Sequence, residues 1–280
     1  MSLKNILVAY NGNDTSDHAL RLGLAIAAKR DAHLTGVFAH GAPRSIESVD
    51  GWLPEGLSQQ FQELAEKIQK EVVSGVEGKF RAVIAEAKDP AKVHWMGLRG
   101  MADDAISKIA RTFDLTIVGK YSPSEYGEQL EIHPDVIALR SGKPVIVVPE
   151  LTGAPKMCDN VVVGWDGKRT SAKAVSDLLH ILPPINNLTL LRIGDERQSE
   201  PDAATRRLLT HIERHGVDAK YVVRKREHSI ARSLIDACND LGATLLVMGA
   251  YEHSKFSEDL LGGVTNEVLR SLSKPVFMSH

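Results

Sequence analysis

The sequence predicts an α/β protein made of two tandem, doubly wound domains, each with a five-stranded parallel sheet, related to one another by a pseudo-twofold. Three observations carry this. The chain aligns with itself: KNILVAYNG (Lys4 to Gly12) matches DNVVVGWDG (Asp159 to Gly167), and the match runs on through Ser16 with Ser171 and Ala19 with Ala174. Short β-branched runs alternate with longer segments of helical period, the pattern of parallel strands joined by crossover helices. The runs VVVGW, TLLRI and TLLVMG are almost continuously apolar, as strands covered on both faces are.

Taken in order, the first half places strands near 5–10 and 33–39, a third at either 79–85 or 93–98, and two more at 114–119 and 144–148. DLTIVGKY (Asp114 to Tyr121) and Lys143-Pro144-Val145 recur as ATLLVMGAY (Ala243 to Tyr251) and Lys274-Pro275-Val276. A Gly- and Pro-bearing linker, ELTGAPK (Glu150 to Lys156), separates the halves, giving domains at 1–150 and 156–280. The second half places strands near 160–165, 188–193, 219–224, 244–249 and 275–279, with helices between them. VIVV and VFMS close their halves and lie at sheet edges, where unpaired backbone invites pairing. The two halves are therefore expected to satisfy each other.

Composition narrows the function classes. With 280 residues, 43 % hydrophobic and 25 % charged, the chain can bury a large core without staples. Lys and Arg number 34 against 36 Asp and Glu, a net charge of −2, which gives no electrostatic reason to expect nucleic acid or an anionic membrane as partner. Cys158 and Cys238 have no CxxC spacing and read as free thiols of a reducing compartment. No leader pattern and no apolar run of membrane-spanning length occurs, so a cytoplasmic location is expected.

In a doubly wound sheet, ligands bind beyond the carboxyl ends of the strands where the strand order reverses, here between the first and fourth strands of each half. After the first strand stand Tyr10-Asn11-Gly12 and Trp165-Asp166-Gly167. Asp166 reads either as the acceptor of a turn that caps the next helix or as a carboxylate meeting a ribose hydroxyl or a metal-bound phosphate. After the fourth strand, Gly249 leads to Gly262-Gly263-Val264-Thr265 and the helical run NEVLRSL. Glycines at a helix start bring backbone N–H groups close to an anion, the chemistry of phosphate binding, although the same residues also make an ordinary helix entry.

These residues resemble the universal stress proteins, in a tandem form with two fused copies, over almost the whole chain. The resemblance implies a Rossmann-like, adenine nucleotide alpha hydrolase-like fold and a stress-response protein that binds ligand rather than catalyses. ATP-binding members carry Gly, two residues, Gly, nine residues, then Gly and Ser or Thr. Carried over, that pattern gives Gly249, Glu252 in the second Gly position, Gly262, and Gly263 in the hydroxyl position, with Thr265 on a further hydroxyl position. It implies Asp166 as the acid that meets the nucleotide and Ile193 as the position whose backbone reads adenine. The implied ligand is ATP or another adenine nucleotide with Mg²⁺, regulatory in role, with unidentified protein partners and a homodimer of tandem chains as a further option. In the first half the glycine positions fall on Glu131 and Ile132 and the acid on Asn11, which marks that half as a degenerate partner that keeps the fold. Glu252 beside a triphosphate adds repulsion, which favours the alternative of a scaffold acting through another small ligand or protein partners.

No P-loop, dinucleotide fingerprint, nucleophile elbow, HExxH, SGG-type pyrophosphate loop or HIGH-like motif is present. His211 and His215 stand one helical turn apart and share a face, but no third ligand lies near them in sequence, so they read as surface histidines. Arg224 to Glu227 reads as a solvated loop. Tyr121 and Tyr251 occupy matching places after the fourth strands, either covering the sheet edge or touching a ligand.

Overall fold

The computed structural model describes residues 3–41, 55–85, 87, 89–123, 130–152, 157–182, 184–250 and 263–280. The first half runs β1 (Asn5–Ala9), α1 (Asp14–Arg30), β2 (His33–His40), α2 (Glu55–Ile84), β3 (Val93–Arg99), α3 (Ala102–Ala110), β4 (Leu115–Gly119), α4 (Pro134–Ser141) and β5 (Val145–Val148). The second half repeats it as β6 (Val161–Gly164), α5 (Arg169–Ile181), β7 (Leu188–Gly194), α6 (Ala203–Arg214), β8 (Ala219–Lys225), α7 (Ile230–Asp240), β9 (Leu245–Gly249), α8 (Val264–Arg270) and β10 (Val276–Ser279).

Among the described residues, ten strands form one sheet in the order β3-β2-β1-β4-β5-β10-β9-β6-β7-β8. Within each half every pairing is parallel, and the strand order reverses between β1 and β4 and between β6 and β9. The single antiparallel junction joins β5 to β10, with Ile146 opposite Phe277, Val145 opposite Met278 and Val147 opposite Val276. Because Lys143-Pro144-Val145 and Lys274-Pro275-Val276 correspond, Ile146 and Phe277 are equivalent residues. The register therefore has a local twofold at that pair.

Period-2 alternation divides the strands between two cores. Ile6, Val8, Ile146, Val161, Val163 and Phe277 face one layer, filled by α1, α2, α5 and α6. Leu7, Val145, Val147, Val162, Val276 and Met278 face the other, filled by α3, α4, α7 and α8. Each layer runs through the β5–β10 junction without a break, so the halves share both cores. The outermost strands β3 and β8 are mostly half-buried or exposed, Val223 being buried, and carry Arg99, Lys220 and Lys225, charges that blunt an open edge.

Of the two positions read for the third strand of the first half, 93–98 is a strand and 79–85 is not. Residues 79–84 end α2, because Val76, Phe80 and Val83 recur at helical spacing and bury as one stripe. Phe80 then packs edge-on against Tyr10 at 5.5 Å and tilted against Trp95 at 4.8 Å. Elsewhere local chemistry agrees with the element. Asn13, Asp202 and Ser229 cap α1, α6 and α7 by accepting the N–H groups of Ser16, Thr205 and Arg232.

Both cysteines are free and buried. Burial pushes the Cys158 thiol up to about 11 and the Cys238 thiol up to about 12. Since the thiolate is the nucleophile, neither cysteine is expected to react with an aromatic disulfide reagent in native protein at mildly alkaline pH, and both should react at once in denaturant. Rapid native-state labelling of either thiol would contradict this burial.

Candidate functional site

Asp166 follows β6, Ile193 lies near the end of β7, Gly249 ends β9 and Gly263 starts α8, all at the carboxyl edge of the second half's strands. β6 delivers Trp165, buried, whose indole N–H donates to Thr205 Oγ1 at 3.0 Å. The chain then turns at Gly167, whose φ of +78° suits glycine. Asp166 Oδ1 accepts the Lys168 N–H at 3.0 Å and the Ser171 hydroxyl at 2.6 Å, so this carboxylate holds the turn and the start of α5. Its Oδ2 faces Lys168 Nζ at 4.0 Å, and the side chain is half exposed. One oxygen thus serves the fold and the other lies at the surface.

Ile193 lies near the end of β7. Trp165 N–H donates to Leu191 C=O at 2.8 Å, and β6 then turns away. Backbone polar groups alternate sides along a strand, so Ile193 presents its N–H and C=O on that same side, beyond the end of β6 and over the crevice. Its side chain packs with the layer of α7 and α8.

Gly249 ends β9. A Cβ there would stand 2.5 Å from Thr170 Oγ1, 2.6 Å from Thr170 C and 2.7 Å from Ser171 N, so the absence of a side chain is what lets α5 start against the strand. Gly119 meets Thr15 in the same way in the first half, with 2.7 Å to its carbonyl carbon. This close approach is shared by both halves and belongs to the fold.

α8 connects β9 to β10, which run parallel, so its amino end lies at the same carboxyl edge. Gly263 is the residue that caps α8, in extended conformation, and a Cβ on it would meet nothing within 4 Å. Val264 is half-buried and Thr265 is buried, 6 % exposed. Gly262, Glu252 and Tyr251 lie outside the described residues.

The equivalent crevice of the first half is filled by its own side chains. Ile132, in the place of Gly263, is 7 % exposed, and beside it Asn11, Asn13, Ser16, Gly119 and Lys120 leave a cavity of about 10 Å³, room for one water. Asn11 Oδ1 accepts the Asn13 N–H at 3.3 Å, and Lys79 reaches over from α2 to donate to Gly12 C=O at 3.0 Å. Glu131 accepts the Tyr121 hydroxyl at 2.9 Å, Tyr121 stacks on His133 at 5.0 Å, and His133 Nδ1 meets Asp103 Oδ2 at 2.8 Å. Burial raises the pKa of Asp103, against the His133 hydrogen bonds that lower it. Tyr121 therefore holds Glu131 and His133 in place.

Sequence reasoning missed Asp103 and His133, which are distant in the chain and have no counterpart motif. It also missed Thr15 and Thr170. The pair Thr-Ser at 15–16 recurs at 170–171 and would have marked the strand–helix approach.

A crossover-linked, mostly parallel sheet with two reversal points, one in each half of a repeated sequence, defines a tandem Rossmann-like α/β protein. The family model described as "Universal stress protein family" matches residues 2–149 and again 157–280, and the chain belongs to that family. It is 24 % identical to universal stress protein Slr1230 of Synechocystis sp. (strain ATCC 27184 / PCC 6803 / Kazusa), over 98 % of this chain and 99 % of that one. Its fold is similar to that of a universal stress protein from Archaeoglobus fulgidus DSM 4304, with TM-score 0.67 and 15 % identity over 98 % of this chain and 95 % of that one. A protein of the same family from Pseudomonas aeruginosa UCBPP-PA14 aligns with TM-score 0.56 and 13 % identity, over 99 % and 93 %. Among the described residues no helix is long and apolar enough to cross a membrane.

Proposed function

We propose that this universal stress protein binds an adenine nucleotide at the carboxyl edge of β6 and β9, in the second half alone, as a regulatory ligand. The contrast between the halves carries the reading: Ile132 lies buried in the first crevice, whereas Gly263, exposed and without a side chain, stands in its place. In this reading the Ile193 backbone edge meets the adenine. The N–H groups of Gly262, Gly263 and Val264, with Thr265, meet the phosphates, helped by the positive end of α8. Asp166 Oδ2 takes a ribose hydroxyl or the Mg²⁺ that accompanies the phosphates. A single half-exposed carboxylate oxygen suits Mg²⁺ that draws its other ligands from phosphate and water, the ion taking the place of Lys168 Nζ, which lies 4.0 Å from Oδ2. The bound nucleotide alters the surface offered to protein partners, in the cytoplasm, and the protein acts by binding rather than by turnover.

Calorimetric titration of nucleotide-stripped protein with Mg-ATP tests this, run beside Gly263→Ile, which copies the first half. One site per chain is expected in wild type, with binding weakened at least about tenfold in Gly263→Ile and in Asp166→Ala. Isoleucine in place of glycine at the N-cap of α8 should cost about 1 kcal/mol, so the variant should stay folded while losing the ligand. No heat with wild type would overturn the proposal in favour of a scaffold that works through another small ligand or protein partners. Steady phosphate release that survives repurification and stops in Asp166→Ala would mean an ATP hydrolase instead.

A further inference from the structure

We propose that the N-terminal half of α2 pairs antiparallel with the same segment of a second copy of this chain, giving a symmetric dimer held by that helix. α2 (Glu55–Ile84) has 30 residues where its counterpart α6 (Ala203–Arg214) has 12. It runs from the carboxyl edge of the sheet back to the start of β3. Gln69 Nε2 meets His40 Nδ1 at 2.6 Å, and His40 is the last residue of β2, so α2 crosses that edge at Gln69. Residues 55–68 lie beyond it, and at ~1.5 Å per residue they extend about 20 Å past the sheet.

One face of this segment is apolar. In sequence Leu57, Phe61, Leu64, Ile68 and Val72 follow one another at helical spacing. Leu64 and Ile68 are 54 % and 53 % exposed, the most exposed large apolar side chains among the described residues. Each step of four residues overshoots a helical turn by about 40°, so the ridge that buries Val76 and Phe80 winds off the core before it reaches Ile68.

The charges beside this ridge select the occupant. Glu63, Lys67 and Glu71, all exposed, stand one turn apart on the side of the helix opposite Gln69, so the ridge has one charged flank and one uncharged flank. In an antiparallel pair related by a twofold each flank faces its own copy, which brings Lys67 of one helix between the acids of the other. A parallel pair sets the charged flank against the uncharged one. The surface is therefore complementary to itself, in one orientation. β5 and β10 already pair with each other within the chain, so the two copies meet through helices and not through these strand edges. A seam of two helices about 30 Å long lies at the small end of specific interfaces, below about 1,200 Å² in total, and association in the micromolar range is expected.

Sedimentation equilibrium of the full chain across the micromolar range tests this. Wild type should show a reversible monomer–dimer equilibrium. Leu64→Asp and Ile68→Asp should each weaken it at least about tenfold. Ile230→Asp, which removes an apolar side chain 43 % exposed in the second half, should leave it unchanged. Lys67→Glu makes the charged flank wholly acidic, and the double change Glu63→Lys with Glu71→Lys makes it wholly basic. Each of these proteins should be monomeric alone, and the two should form a mixed dimer when combined. Wild type that stays monomeric throughout, dimers that survive Leu64→Asp and Ile68→Asp, or charge variants that do not pair with each other would each overturn the proposal. Every substituted side chain is exposed or half-buried at a helix surface, so the variants should melt within a few degrees of wild type, which circular dichroism checks.

Discussion

Gly249→Ala is expected to destabilise the protein by about 3 kcal/mol, the upper part of the range for forcing a methyl into a packed site. The atoms it would strike are Thr170 and Ser171 backbone at 2.6 and 2.7 Å, which cannot rotate away as a side-chain tip can. Relief requires α5 to withdraw from β9, and Ser171 would then carry its hydrogen bond away from Asp166. The entropic gain of replacing glycine in the unfolded chain, about 0.4–1 kcal/mol, offsets only part of this. For a chain of this size the melting temperature should fall by about 6–12 °C. Gly119→Ala should behave alike through Thr15. Gly75→Ala supplies the opposite sign: it lies within α2 with nothing within 4 Å of its Cβ position, and the change should stabilise by about 0.5–1 kcal/mol. Urea melts of the three variants check the set. Equal, small effects at 75, 119 and 249 would mean that the approach of helix to strand is loose.

Phe277→Ala should cost about 3–5 kcal/mol, the usual loss for a fully buried aromatic ring. Its effect should reach both halves. Phe277 stands opposite Ile146 at the antiparallel junction, and the two belong to one apolar layer that runs from α1 and α2 to α5 and α6. Hydrogen exchange followed by mass spectrometry should show protection falling in β1 as well as in β6. A loss confined to the second half would mean that the halves fold as independent units despite the common sheet.

The sequence by itself determined the repeat, nine of the ten strands to within a residue or two, the apolar continuity that marks strands covered on both faces, and the strand ends where Asp166, Ile193 and Gly249 stand. These follow from short-range rules: the alternation of a strand, the 3.6-residue period of a helix, and the carboxyl-edge rule for parallel sheets. The third strand of the first half was ambiguous because the run around Phe80 and Val83 is apolar on either period, and only burial of Val76, Phe80 and Val83 on one stripe settled it as helix. Tertiary structure alone decided that Gly249 serves helix packing, that Asp166 spends one oxygen on Lys168 and Ser171, and that Asp103 grips His133. Each of these depends on which residues of separate elements end up side by side. Sheet register and helix crossing set that, and no local period in the chain encodes it.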